Sequence, residues 1–328
     1  MKPSEVSKRL ACLVPARLPV LLVGPPGVGK SEVVAQACAA ANVQCEVFHP
    51  AVSDPTDYKG LPALVDGKAE FLPYGDLRSL LKAQTPTVAF LDDLGQAPAA
   101  VQAAAMQLIL GRRVNGFRLP DTVTFIAASN RREDKAGVTG ILEPVKSRFA
   151  TILEVTADLD DWCTWAFSAN LPVEVIAFLR FRPALLHDFK ATADLVNSPC
   201  PRTWAHAGRL VNLGLTDLDT LAGAVGQGAA TELVAFLRVY RSLPSIDGIL
   251  LNPDTAKVPT DPSALYAVAV ALAARASDQT AERIIKYATR LPAEFQVLCI
   301  RDAHRRCPEF ADCRAFVEWV AKHNDVLM

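Results

Sequence analysis

Hydrophobic residues in the first half of the chain fall into short runs separated by stretches with helical spacing. The runs are PVLLVG (19–24), QCEVFH (44–49), TVAFL (87–91), TVTFIAA (122–128) and TILEV (151–155). Four are nearly continuous apolar segments, which is the pattern of parallel strands covered on both faces. Between the first two, SEVVAQACAAAN places Val33, Val34, Ala37, Cys38 and Ala41 on one helical stripe, and Asn42 suits a helix C-terminal turn. Two segments interrupt the alternation. ALVDGKAEF (63–71) and RRVNGFRL (112–119) carry Asp66-Gly67 and Asn115-Gly116, dipeptides that favour type I′ hairpin turns.

Past Asp158 the strand signals stop. DLDDWCTWAFSAN, PVEVIAFLRF and PRTWAHAGRLVNLG read as helices, as does TELVAFLRVYRSL, with Leu233, Phe236, Leu237 and Tyr240 at helical spacing. LPSIDGILLNPDTAKVPTDP (243–262) reads as loop, and further helices carry the chain to Met328. The pattern predicts an α/β unit over residues 1–157 with a parallel five-stranded sheet. An all-helical unit is expected over 158–328.

Composition narrows the function. The 328 residues are 51% hydrophobic and 21% charged, which supports packed cores and opposes disorder. Lys and Arg total 34 against 35 Asp and Glu, so the chain lacks the cationic excess behind general polyanion binding. Nucleic acid is therefore not the expected partner, although a local basic patch stays open. Eight cysteines, without a CxxC pair, read as small buried thiols in a reducing compartment. The N-terminus has no signal-peptide core. The apolar stretch from Leu10 to Val23 is cut by Pro15, Arg17 and Pro19, and the run from Ala264 to Ala274 is too short to span a bilayer. No membrane insertion is expected, and the expected location is cytoplasmic.

The sharpest signal is GPPGVGKS at 24–31, which satisfies G-x-x-x-x-G-K-[ST] between an apolar strand and an amphipathic helix. Gly24, Pro25, Pro26, Gly27, Val28 and Gly29 form a tight loop whose amides and following helix N-terminus suit phosphate. Lys30 is placed to reach the β- and γ-phosphates, and Ser31 to bind Mg²⁺. The expected ligand is a nucleoside triphosphate, ATP/ADP, with Mg²⁺. In such proteins a second buried strand ends in an aspartate that holds the cation through water. TVAFLD supplies Asp92 in that place. Asp93 follows, either as the group that polarises the attacking water or as a helix N-cap.

This ordered set resembles the AAA+ superfamily, and within it most closely the MoxR-type ATPases, over residues 18 to about 215. GPPGVGKS matches Walker A, FLDD a Walker B with Asp in place of the usual Glu, and TFIAASN the strand ending in the sensor-one Asn. EPVKSRF matches the segment bearing an arginine finger, and SPCPRTW the sensor-two segment of a helical lid. The resemblance implies an αβα sandwich followed by a helical lid and a helical C-terminal extension. Asn130 would position the lytic water, and Arg148 would reach the neighbouring subunit's nucleotide, with Arg131 and Arg132 as rivals. Arg202, behind Pro201 in a first helical turn, opposes the helix dipole unless an anion accompanies it, and is read as the lid's sensor. A homohexamer that remodels a protein client is implied, with a von Willebrand factor A domain protein as adaptor or client. A DNA-directed motor and a slowly hydrolysing scaffold are the alternatives. The two hairpins fall where that family carries partner-facing inserts, with Arg112, Arg113 and Arg118 either touching a partner or nucleic acid or lying solvated.

Overall fold

The computed structural model describes residues 1–134, 140–192 and 194–323. Contacts within the chain divide it into two units, Met1–Asp158 and Leu159–Met328.

The first unit's strands are β1 (Val20–Val23), β2 (Gln44–Phe48), β3 (Leu61–Val65), β4 (Lys68–Leu72), β5 (Thr87–Leu91), β6 (Arg113–Val114), β7 (Phe117–Arg118), β8 (Val123–Ser129) and β9 (Thr151–Glu154). Its helices are α1 (Pro3–Leu13), α2 (Lys30–Ala40), α3 (Pro55–Lys59), α4 (Gly75–Leu81), α5 (Ala99–Met106) and α6 (Glu143–Lys146). Five strands form one parallel sheet in the order β2-β5-β8-β1-β9. Successive residues of a strand point to opposite faces, so a continuous apolar run feeds two cores at once. Leu21, Ala89, Leu91, Phe125 and Ala127 pack on one face with residues of α4 and α5. Leu22, Val88, Phe90, Ile126 and Ala128 pack on the other against Val6 and Leu10 of α1 and Val33, Val34 and Cys38 of α2. The run TILEV departs from the two-faced expectation: β9 is a sheet edge, and Ile152 is 48% exposed.

Both hairpins turn where their dipeptides require. Asp66 and Gly67 have φ of 51° and 75°, and Asn115 and Gly116 have 46° and 88°, which are paired left-handed residues. Arg112 is half-buried and engaged within the chain. Left-handed at the end of a π turn (Gln107–Gly111), it donates to the carbonyls of Pro120 and Val123 and so braces the hairpin base. Arg113 and Arg118 are exposed, and Arg118 pairs with Asp121.

The second unit is helical: α7 (Leu159–Ser168), α8 (Val173–Phe181), α9 (Pro201–Asn212), α10 (Leu218–Val225), α11 (Gln227–Arg241), α12 (Ile246–Leu251), α13 (Pro262–Ala274), α14 (Ala281–Ala288), α15 (Ala293–Arg306) and α16 (Arg314–Lys322). The segment read as loop over 243–262 contains α12. Ser245 caps it by accepting from the Gly248 N–H, a short start signal masked by the surrounding Pro, Gly and Asn residues. The expected run of helix to Met328 lies in part outside the described residues. α13 is apolar all round and buried on nearly every position, as suits a central core helix. No helix among the described residues is long and apolar enough to cross a membrane.

One ionic cluster sits inside this unit. Arg180 of α8 donates to Asp160 and, at 2.9 Å, to Asp302, with side chains of Arg180 and Asp302 only 6% and 3% exposed. Removing one partner of a buried pair strands the other charge, at about 3–5 kcal/mol. Arg180→Met is expected to destabilise the chain by that amount in urea denaturation. Arg180→Met with Asp302→Leu should recover most of it; equal losses would show that the pair is not what holds these helices.

Candidate nucleotide-binding site

Beyond Val23 the chain turns sharply, and its glycines serve two different needs. A Cβ on Gly24 would lie 2.4 Å from the Val155 carbonyl oxygen, so the residue is small because the chain leaving β9 passes close by. Gly27 and Gly29, at φ of 76° and 97°, instead occupy left-handed backbone. α2 begins at once with Lys30. The Lys30 ammonium, in a residue 7% exposed, donates to the carbonyls of Gly24 (2.9 Å) and Pro25 (3.0 Å) and to Asn130 Oδ1 (2.8 Å). Both of those carbonyls precede a proline, so neither peptide unit carries an N–H. The loop's donors are thereby concentrated in Gly27, Val28, Gly29 and the first turn of α2, an anion cradle at a helix N-terminus.

The acids stand beside it. Ser31 Oγ donates to Asp92 Oδ2 at 2.7 Å, and Asp92 accepts the Asp93 N–H at 3.1 Å through its other oxygen. Among the described residues no three His, Cys, Asp or Glu side chains gather to hold a metal by themselves. A hydroxyl and a carboxylate in contact, beside a phosphate cradle, fit Mg²⁺, which takes few protein oxygens and fills its shell with water and phosphate. Asp93 has φ 55° and ψ 35°, a left-handed conformation tolerated by Asp and Asn. Its side chain caps no helix. It accepts instead from Asn130 Nδ2, at 3.5 Å. The Asn130 amide therefore spans ammonium and carboxylate, oxygen to one and nitrogen to the other. Strand order explains this: β8 lies between β1 and β5, so the residue that follows it is flanked by Lys30 and Asp93.

Lys30, Ser31, Asp92, Asp93 and Asn130 are thus brought together. Arg148 hydrogen-bonds to none of them; its guanidinium lies 3.4 Å from Ser147 Oγ and pairs with no carboxylate among the described residues. Arg131 is engaged by Asp134, Glu154 and Glu133 at 2.9, 2.9 and 3.1 Å. Arg132 is exposed. Arg202 belongs to the other unit, where it is exposed in the first turn of α9 and pairs with no carboxylate among the described residues.

Sequence reasoning passed over Gln102. This residue, 1% exposed, donates to the carbonyls of Ala97 (3.1 Å) and Gly140 (2.9 Å) and accepts the Leu142 N–H (2.9 Å). It ties the turn after Asp93 to the segment leading into α6 and Arg148. A signal was present: Gln102 is a lone polar residue amid Val101, Ala104 and Ala105 on the buried face of α5, and a buried amide needs partners.

Residues 19–149 match the family described as AAA domain (dynein-related subfamily). The matched segment carries the parallel sheet and the phosphate loop, and the five strands with their flanking helices have the P-loop AAA+ fold. Among solved structures the chain is similar to the Thermotoga maritima RuvB Holliday junction branch migration motor, at 17% identity and TM-score 0.41 over 82% of this chain and 81% of that one. It is also similar to a putative ATPase from Cytophaga hutchinsonii, at 14% identity and TM-score 0.36 over 90% of this chain and 79% of that one. Likeness at that level says nothing of substrate. No curated protein matches the chain.

Removing the Lys30 ammonium deletes a charge-assisted donor from the cradle. Lys30→Ala is expected to weaken ATP binding in the presence of Mg²⁺ by at least about tenfold, since hydrogen bonds to charged groups contribute roughly 1.5–3 kcal/mol. Calorimetric titration gives the value, and an unchanged affinity would remove the loop from the nucleotide site.

Proposed function

We propose that this chain is an ATP hydrolase of the MoxR type, working as a homohexameric ring that remodels or activates a protein client. The observation that carries the reading is the continuous contact from Lys30 through Asn130 to Asp93, alongside the Ser31–Asp92 pair. The cradle and Lys30 bind the triphosphate. Ser31 and Asp92 would hold Mg²⁺, which supplies positive charge against the phosphate oxygens when bound. Asp93 takes the proton of the attacking water, and Asn130 orients that water and the carboxylate together.

Asp stands where the family's pattern has Glu, one methylene or roughly 1.5 Å shorter. The left-handed turn at Asp93 supports the catalytic reading because it presents the short side chain to Asn130 without a longer arm. Arg148 supports the ring. A guanidinium without a carboxylate partner among the described residues is matched to an anion supplied from outside the chain, the neighbouring subunit's nucleotide. Arg131 has three carboxylates of its own, which leaves Arg148 the better donor. The client, or an adaptor to it, is a von Willebrand factor A domain protein, on the strength of the MoxR resemblance.

Asparagine tolerates the left-handed backbone at position 93 but cannot accept the proton. Asp93→Asn is therefore expected to bind ATP normally while turnover falls by about 10²–10⁴. Wild-type turnover in that variant, measured with saturating MgATP, would leave Asp93 without catalytic duty. Arg148→Ala should bind ATP yet lose about 10³-fold or more in turnover. Mixing it with Lys30→Ala subunits should restore hydrolysis, because one subunit keeps a competent nucleotide site and the other an arginine to donate. Full turnover by assembled Arg148→Ala alone would refute donation between subunits.

A further inference from the structure

The helical unit has a cavity of about 380 Å³ where the C-terminal half of α7 faces the last turn of α15. That size falls within the range of small-molecule sites, roughly 300–1,000 Å³. Cys163, Thr164, Phe167 and Ser168 come from one face of α7, Asp302, Arg305 and Arg306 from α15, and Arg180 from α8.

The charge around this cavity is unbalanced. Asp160 receives Arg180, Arg301 at 3.3 Å and Arg305 at 3.2 Å, while Asp302 receives Arg180 at 2.9 Å. Burial works to raise the Asp160 pKa, but the three guanidiniums outweigh it and hold the carboxyl down to about 2. Arg306 pairs with no carboxylate among the described residues; its guanidinium lies 5.2 Å over the Phe167 ring. Three arginines thus share two carboxylates, and Arg306 adds a fourth guanidinium beside them. The C-terminal end of α15 favours cations and accounts for Arg305 and Arg306 as sequence choices. It does not account for Arg180, which is buried in the cavity wall. One wall residue also keeps a buried donor with no hydrogen-bond partner among the described residues, Arg180 Nε. Native structures seldom leave such groups unmatched.

We propose that this cavity binds a small organic oxyanion, a carboxylate- or phosphate-bearing molecule, through the guanidiniums of Arg305 and Arg306. Arg180 in the wall is paired with Asp160 and Asp302, and the Thr164 and Ser168 hydroxyls already donate to the carbonyls of Asp160 and Trp165, so the donors to the ligand are those of Arg305 and Arg306. Arginine suits this task because its planar fork matches both oxyanions and stays charged. The site is separate from the phosphate loop and does not depend on ATP hydrolysis.

The test uses the full chain carrying Lys30→Ala, so that the phosphate loop does not report, at constant ionic strength. Inorganic phosphate and malonate are titrated separately by calorimetry. Saturable one-site heat is expected from at least one of them, and which one responds assigns the ligand to phosphates or carboxylates; a response to both defines a general oxyanion site. Arg305→Gln with Arg306→Gln should weaken that binding by about tenfold or more, the loss of charge-assisted hydrogen bonds. Both residues are exposed, and Arg305→Lys with Arg306→Lys should keep part of the affinity. Wild type saturated with a non-hydrolysable ATP analogue provides a second background that leaves Lys30 in place. Absence of saturable binding to either probe, or equal affinity in the double Gln variant, would overturn the proposal.

Discussion

An ammonium buried to 7% exposure has to surround itself with oxygen, and the candidate nucleotide site is arranged around meeting that need for Lys30. Two of its partners are the carbonyls of Gly24 and Pro25, and another is the amide oxygen of Asn130. The Pro-Pro pair allows the loop to give up two carbonyls without burying two N–H groups, since those peptide units have none. Gly24 allows the loop to start directly against the chain leaving β9, and Gly27 and Gly29 allow it to close into α2. The cradle's shape is thus the solution to a desolvation problem set by one side chain.

Strand order then decides which residues can share the site. In the chain, β1, β5 and β8 are separated by long excursions; in the sheet they lie side by side with β8 in the middle. β8 is buried along its whole length, so the polar residue emerging at its end cannot drift, and it emerges between a cation and a carboxylate. Asn is fitted to that position because one amide satisfies both signs of charge at once. A carboxylate there would be set against Asp93, and an ammonium against Lys30.

The central strands were legible in the sequence because burial on two faces leaves no room for polar residues in Val88–Leu91 or Phe125–Ala128. The hairpin turns were legible because only a few dipeptides reach two successive left-handed residues. What could not be read was whatever depends on distant partners. TILEV and TVAFL look alike, yet only one of them has a neighbour on both sides. Arg112 looks like its neighbours Arg113 and Arg118, and only the path of the chain after the hairpin places two carbonyls at its guanidinium. α12 was hidden because its start depends on a single Ser245 cap, with Gly248 inside it. The same division runs through the site. Lys30, Ser31 and the acids announce themselves by spacing, whereas the left-handed turn at Asp93 is a backbone property that Asp allows but does not announce.

Gln102 shows how that turn is joined to the rest of the unit. From Asp93 the chain closes a tight turn through the Gln96 N–H to the Asp93 carbonyl, and the Gly95 carbonyl accepts from Gly140 at 3.3 Å. Gln102 then clamps Ala97, Gly140 and Leu142 with a single buried amide, and Leu142 is the residue from which α6 starts toward Arg148. The Gln102 amide itself is buried, so losing one of its partners leaves a donor or acceptor unsatisfied and costly. The turn and the arginine segment are therefore held as one piece, not as two loops that settle independently. In the ring proposed above, the acid that serves a subunit's own nucleotide and the arginine that serves its neighbour's would share this scaffold, so their spacing is set within the chain before any neighbour arrives.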